Sequence, residues 1–235
     1  LILLYFHKEK LIILCQPKTG TTALHDAISR DASIAFVTPP HMKHMTYAKF
    51  MNALSTWIVA GGEFHRRKYT IVSVMREPLD WFGSWYRYNT REQLASTKSR
   101  AHSRYTGDIT FDQFLEALLL PREEAPDYAK LGGPSSVALD ENKRIGVDYL
   151  FRYTDMAKLT DFISERLERP IVLEHANISA KKEITVDPEI ASRIREKYAF
   201  DFEVYSKLRP NGWVTKELKL LESSPVGVGE AVRGL

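Results

Sequence analysis

A single cysteine, Cys15, among 235 residues excludes any intramolecular disulfide framework and points to a reducing compartment, so a cytoplasmic setting is expected. Cys15 lies inside an apolar run, where a thiol behaves as a small buried hydrophobe. No apolar run approaches the roughly 18 residues that span a bilayer, and Leu1 to Tyr5 is too short for a signal core, so no stable membrane insertion is expected. The chain opens on leucine, which leaves open an anchor or targeting segment ahead of Leu1. Charge of neither sign dominates. Thirty-three Lys and Arg against 30 Asp and Glu give a net +3, which is far from the bias of a nucleic-acid binder and equally compatible with one local anion site. Repeats and low-complexity tracts are also missing.

What is present fits one globular domain spanning 1–235, long enough for a sizeable core, with 44% hydrophobic and 27% charged residues. Strand-like runs alternate with helical patterns, which predicts a three-layer α/β/α fold around a central parallel sheet, like that of P-loop nucleoside-triphosphate hydrolases. Strands are expected near Leu11 to Cys15, Ile34 to Val37, Tyr69 to Met75, Tyr149 to Tyr153 and Ile171 to Glu174. Tyr47, Phe50, Met51, Leu54 and Ile58 fall at helical spacing, as do Met156, Leu159, Phe162, Ile163 and Leu167; both stripes read as core faces. Asp187 followed by Pro188 reads as an N-cap and first helical residue, with Ile190, Ile194 and Tyr198 along one side. Residues 90–145, which hold PREEAP and LGGPSS, read as a helix-containing insertion over the site.

Leu11 to Leu24, LIILCQPKTGTTAL, runs an apolar strand into a loop and then a helix. Gly20 permits a tight turn and close approach of an anion, the first helical amides at Thr21 and Thr22 lack partners in the helix, and Lys18 adds a positive charge. The segment is a phosphate site, but its lysine precedes its only glycine, whereas an ATPase loop reads GxxxxGK[ST]. Tyr69 to Met75 is a second apolar run, and it ends in Arg76, where ATPases and GTPases commonly carry a magnesium-holding aspartate. A cation there calls for a second phosphate.

At this point the chain resembles the sulfotransferases that use 3′-phosphoadenosine 5′-phosphosulfate. QPKTGTT resembles their 5′-phosphosulfate loop, PKxGTT, and REPLDWFGSWY resembles their 3′-phosphate motif, R-x-P with a serine eight residues beyond the arginine. VDYLFRYTDMAKL, PIVLEHANIS and KYAFDFEVYSKL resemble later landmarks of the membrane-type and bacterial branch, so the likeness covers nearly the whole chain and makes a bacterial source the expected one. The exceptions are Thr90 to Lys143 and the tail after Trp213. The resemblance implies sulfuryl transfer to a hydroxyl or amine acceptor without a metal. Pro17, Lys18, Thr19, Gly20, Thr21 and Thr22 then cradle the 5′-phosphate, with Lys18 at the leaving oxygen, and Arg76 and Ser84 take the 3′-phosphate. Asn177 and Ser179 line the same cofactor, and Lys181 and Lys182 add charge to it. Asn177-Ile178-Ser179 is also formally a glycosylation acceptor.

An acceptor hydroxyl needs a general base within hydrogen-bond reach. His44, in KHMT, matches a K-H-x-[ST] feature of bacterial members and is the first choice, with His41 as runner-up; Glu63, Glu77 or an insertion residue are the fallbacks. Glu77 also stands where it could orient Arg76. His25 reads as a packed or exposed helix residue. The acceptor itself, a small molecule or a carbohydrate, stays open, as does the oligomeric state. Arg87, Arg91, Lys98, Arg100 and Arg104 read either as a polyanion site or as a solvated helix face. Trp81, Trp85, Tyr86 and Tyr88 read either as a stacking surface or as core. Two further functions fit the same loop, a P-loop kinase or hydrolase and a non-catalytic module that binds adenosine bisphosphate.

Overall fold

The computed structural model describes residues 3–38, 44–56, 68–174 and 185–209. In chain order its strands are β1 Leu3–Phe6, β2 Leu11–Leu14, β3 Ile34–Phe36, β4 Thr70–Met75 and β5 Tyr149–Arg152. Its α-helices are α1 Thr21–Ile28, α2 Tyr47–Lys49, α3 Pro78–Asn89, α4 Glu92–Ala95, α5 Phe111–Leu119, α6 Met156–Leu167, α7 Pro188–Lys197 and α8 Ala199–Lys207. Among the described residues no helix is long and apolar enough to cross a membrane.

The strands form one sheet in the order β3-β1-β2-β4-β5. The parallel part is β2-β4-β5, with Leu14 opposite Ser73 and Met75 opposite Arg152. β1 runs antiparallel to both β2 and β3, so the sheet is mixed, where a wholly parallel one was expected. The reason is local: four residues between Phe6 and Leu11 suffice for a hairpin but not for a parallel crossover. β1 itself is the strand that the sequence patterning missed. The expected strand Ile171 to Glu174 does not form. The Ile171 amide donates to Ser164 Oγ at 2.9 Å instead of entering a ladder, while its side chain stays buried.

LLYF and LIIL are buried at every position, as strands covered on both faces must be. Leu4, Phe6, Leu11, Ile13 and Cys15 pack with Leu24 and Ile28 of α1 and Leu159 and Ile163 of α6. On the other face Leu3, Tyr5, Ile12 and Leu14 pack with Phe50 and Leu54, which continue α2 as a π-helical turn, and with Val204 and Leu208 at α8. Both expected helical stripes are therefore core faces, except that Ile58 lies outside the described residues.

A third apolar cluster stands apart from the sheet. Trp81 and Phe82 of α3, Phe114, Leu115 and Leu118 of α5 and Ile194 of α7 form its centre. Thr110 caps α5 reciprocally with Gln113, a capping box that was present in TFDQF but went unread in the insertion. Asp187 caps α7 through bonds from the Glu189 and Ile190 amides, and Pro188 opens it, as its sequence signature implied. The turn that precedes α8 brings Asp201 against Ser135, whose amide and hydroxyl both donate to its carboxylate at 2.7 Å. Burial raises the Asp201 carboxyl above the usual carboxylate range, although the Ser135 bonds oppose that shift.

Candidate functional site

The carboxyl ends of β2, β4 and β5 lie side by side, and the loops leaving them build the site. After β2 the chain turns through Lys18, whose φ is 68°, and Gly20, whose φ is 70°. A left-handed non-glycine residue costs roughly 1–2 kcal/mol, and here Arg76 Nη1 donates to the Lys18 carbonyl at 3.2 Å and holds that turn. Thr19 Oγ1 donates to the Gln16 carbonyl at 2.8 Å, and Trp81 Nε1 donates to the Pro17 carbonyl at 2.9 Å. Gly20 is the N-cap of α1, with no side-chain cap and no acid in the first turn. A Cβ at Gly20 would lie 3.2 Å from Tyr153 Cε2, so glycine is needed there for both φ and space. The first amides of α1, at Thr21 and Thr22, have no acceptor within the helix, as at any helix start, and the buried Thr21 hydroxyl has no partner among the described residues.

Charge converges on this loop. The Lys18 ammonium sits 4.0 Å from the Tyr88 ring centre and 5.9 Å from that of Trp85, both on α3. Its pKa falls to about 8, first through burial and then through Arg91, Arg76 and Arg87. Arg76 lies over the Tyr153 ring at 4.7 Å and pairs with Asp80, to which both Nε and Nη2 donate. Arg87 reaches the same carboxylate at 3.5 Å, and Arg91 stacks on Tyr88 at 4.3 Å. Of these four cations only Arg76 and Arg87 pair with a carboxylate, that of Asp80, among the described residues, an arrangement that suits a ligand with several negative charges. Glu77 does not orient Arg76. Its carboxylate accepts from the Asp80 amide at 2.8 Å and caps α3, because its place directly before Pro78 makes it the N-cap.

The structure brings Pro17, Lys18, Thr19, Gly20, Thr21, Thr22 and Arg76 together through these contacts, and it buries Ser84 one turn beyond Asp80 on α3. His44 is also here. Its Nδ1 bonds the Cys15 carbonyl at 3.2 Å; since a carbonyl can only accept, Nδ1 carries the proton of that bond. His41, Glu63, Asn177, Ser179, Lys181 and Lys182 lie outside the described residues. His25 pairs with Asp26 at 2.7 Å on α1.

The basic cluster divides. Arg87 and Arg91 join Lys18, whereas Lys98, Arg100 and Arg104 are exposed. The aromatics divide too. Trp81 is buried; Tyr86 packs on Phe111 and Phe114, its hydroxyl donating to the Ile109 carbonyl at 2.8 Å; Trp85 and Tyr88 face Lys18. Asp80 and Tyr153 gained no role from the sequence, although Asp80 four residues after Arg76 was a readable helical pairing.

The family model described as Sulfotransferase family matches residues 3–207. Neither the curated proteins nor the solved structures give a match.

Proposed function

Because this chain belongs to the sulfotransferase family, we propose that it moves a sulfuryl group from 3′-phosphoadenosine 5′-phosphosulfate to a hydroxyl or amine acceptor by in-line transfer. The observation that carries the donor is the group of cations, Lys18 with Arg76, Arg87 and Arg91 acting on it and only Arg76 and Arg87 paired with Asp80, at a glycine-turned loop before a helix start. The buried Thr21 hydroxyl, unpartnered among the described residues, fits a ligand rich in acceptor oxygens. When bound, the phosphosulfate supplies the sulfuryl group, with adenosine 3′,5′-bisphosphate as the leaving group.

The residues divide the work. The backbone of Pro17 to Thr22 and the hydroxyls of Thr19, Thr21 and Thr22 hold the 5′-phosphate. Lys18 holds positive charge where the leaving oxygen develops its negative charge, a contribution larger in the transition state than in the ground state. Arg76 and Ser84 take the 3′-phosphate. Asp80 and the Lys18 carbonyl use three of the five guanidinium N–H groups of Arg76 and so fix its plane, leaving two for the ligand. Asn177, Ser179, Lys181 and Lys182 complete that end by family resemblance. His44 Nε2 takes the acceptor proton, with His41 as the alternative. Residues 90–145 cover the acceptor side. Thr106 ties them to α3 through its amide to the Asn89 carbonyl and its hydroxyl to the Tyr86 carbonyl, and α3 carries Trp85 and Tyr88 to Lys18.

Two measurements test this reading. Titration calorimetry in chelator is expected to show adenosine 3′,5′-bisphosphate binding far more tightly than ATP, while equal or tighter binding of magnesium-ATP overturns it in favour of a kinase. Turnover of labelled phosphosulfate over a panel of alcohols, phenols, sugars and amines is expected for at least one class. Tight bisphosphate binding with no turnover across the panel assigns the chain to non-catalytic binding instead.

A further inference from the structure

Two of the four cations at the phosphate loop, Arg76 and Arg87, have a carboxylate. The other two share an aromatic ring. The Lys18 ammonium lies 4.0 Å from the centre of the Tyr88 ring, and the Arg91 guanidinium lies 4.3 Å from the same centre. Among the described residues neither side chain has a carboxylate or a hydrogen-bond acceptor. A partly buried ammonium without a counter-ion has lost water, and the negative face of a ring offsets part of that loss.

The ring is itself held in place. Trp81, Trp85 and Tyr88 stand at i, i+4 and i+7 of α3 and so share one face of the helix. Trp81 is buried in the third apolar cluster, and its Nε1 donates to the carbonyl of Pro17, the residue before Lys18. Trp85 meets Trp81 edge-on at 6.1 Å, and Tyr88 meets Trp85 edge-on at 5.8 Å. A row of rings thus runs from the core to the lysine. Among the described residues nothing bonds the Tyr88 hydroxyl, so the ring makes the contacts of this side chain. The backbone of Lys18 is fixed by its left-handed turn and by the Arg76 bond to its carbonyl. Its flexible stem is not, and among the described residues the Tyr88 and Trp85 rings are what restrain the ammonium.

We propose that Tyr88 is a positioning residue for sulfuryl transfer, its ring holding the Lys18 ammonium where the leaving oxygen of the donor comes to lie. The proposal rests on the sulfotransferase reading above. In that step the bond from sulfur to the bridging oxygen breaks and its electron pair stays with the 5′-phosphate. Sulfur bonds the acceptor oxygen or nitrogen, and the acceptor proton passes to the base. Tyr88 acts on these atoms through Lys18, by removing in advance the cost of ordering that side chain.

One test reads the ring contact without turnover. In carbon-13 NMR the ε-methylene signal of Lys18, identified by its loss in Lys18→Arg, is expected upfield of the other lysines through the ring current, and Tyr88→Leu is expected to return it. The other test reads single-turnover transfer from labelled phosphosulfate to water and to the panel of alcohols, phenols, sugars and amines. Tyr88→Leu is expected to slow transfer about tenfold or more, the scale of a desolvated cation–π contact, while bisphosphate affinity falls less. Tyr88→Phe is expected to recover most of that loss. Phenylalanines with one, three and five ring fluorines at position 88 drain the negative face and keep its shape, and are expected to slow transfer step by step. In a Lys18→Ala background the Tyr88→Leu loss is expected to vanish. Rates that stay flat across the fluorine series overturn the proposal, as does Tyr88→Phe as slow as Tyr88→Leu, which assigns the role to the hydroxyl. Bisphosphate affinity that falls as far as the rate also overturns it, by assigning Tyr88 to donor binding. Should Tyr88→Leu fail to fold, the fluorine series decides. Wild-type protein that transfers to nothing, water included, refutes the sulfotransferase reading and the positioning role with it; wild-type transfer without the upfield signal refutes the role of Tyr88 alone.

Discussion

The two edges of the sheet treat their polar groups in opposite ways. At the amino ends of β2 and β4 the groups saturate one another. The Tyr5 and Tyr69 hydroxyls share a 2.6 Å bond, His7 Nδ1 meets Tyr5 at 3.0 Å, and Lys10 lies 3.4 Å from His7 Nε2. Arg166 donates to Thr70 Oγ1 at 3.1 Å, and Arg169 pairs with Asp31. At the carboxyl ends stand all five buried polar atoms that lack partners among the described residues, on Gln16, Thr21, Trp85, Arg152 and Asp155. The left-handed turn of Lys18 and the surplus of cations stand there as well. Buried polar groups are normally paired, so an edge where they are not has given up stability for binding, while the opposite edge holds the fold together. Substitutions at the two edges should accordingly fail in different measurements.

The largest expected effect is on turnover. His44→Ala should lower kcat by about 10² to 10⁴, the range for loss of a general base, with bisphosphate binding nearly intact by calorimetry. If His41→Ala loses turnover and His44→Ala keeps it, the base lies three residues upstream. Lys18→Ala should lower kcat by about 10² to 10³, as removal of a preorganised electrostatic donor does. Next comes affinity. Arg76→Ala should weaken bisphosphate binding by about 1.5–3 kcal/mol, and the discrimination between nucleotides with and without the 3′-phosphate should collapse with it. A mutant that keeps that discrimination removes Arg76 from the 3′-phosphate.

Titration of Lys18 yields a subtler pair of outcomes. Its pKa of about 8 lies below the ordinary 10.5, so between those values the unfolded chain holds a proton that the folded chain has shed. The contribution of Lys18 to folding stability therefore rises with pH across that window. Activity runs the other way, and kcat/KM should fall as pH climbs through about 8 and the ammonium is lost. Arg91→Gln removes the largest charge acting on Lys18 and should move that falling limb upward in pH; a limb that stays in place dissociates it from Lys18. Bisphosphate binding near that pH should also take up a proton, visible as a dependence of the calorimetric heat on buffer ionisation enthalpy.

The smallest effect belongs to the amino edge. Tyr69→Phe deletes the hydroxyl that bonds Tyr5 and should cost about 1 kcal/mol of stability. For a chain of this length that is about 2–4 °C in Tm, with kcat unchanged. A drop in kcat there without loss of stability would break the division between the two edges.

Local patterns were sufficient for much of this protein. The glycine turn from β2 into α1, the arginine directly after β4, four of the five strands, the Asp187-Pro188 helix start and the two apolar stripes were legible because each depends on residues a few positions apart. Tertiary structure decided what depends on distant residues. β1 became a strand by pairing with β2 and β3, and Ile171 left the sheet because Ser164 took its amide. The proton on His44 Nδ1 was placed by a carbonyl 29 residues away, Asp80 displaced Glu77 as the partner of Arg76, and the basic cluster was divided between Lys18 and solvent. An unpaired donor such as Arg152 Nε can be recognised only once every possible partner has been placed in space, which periodicity and spacing cannot do.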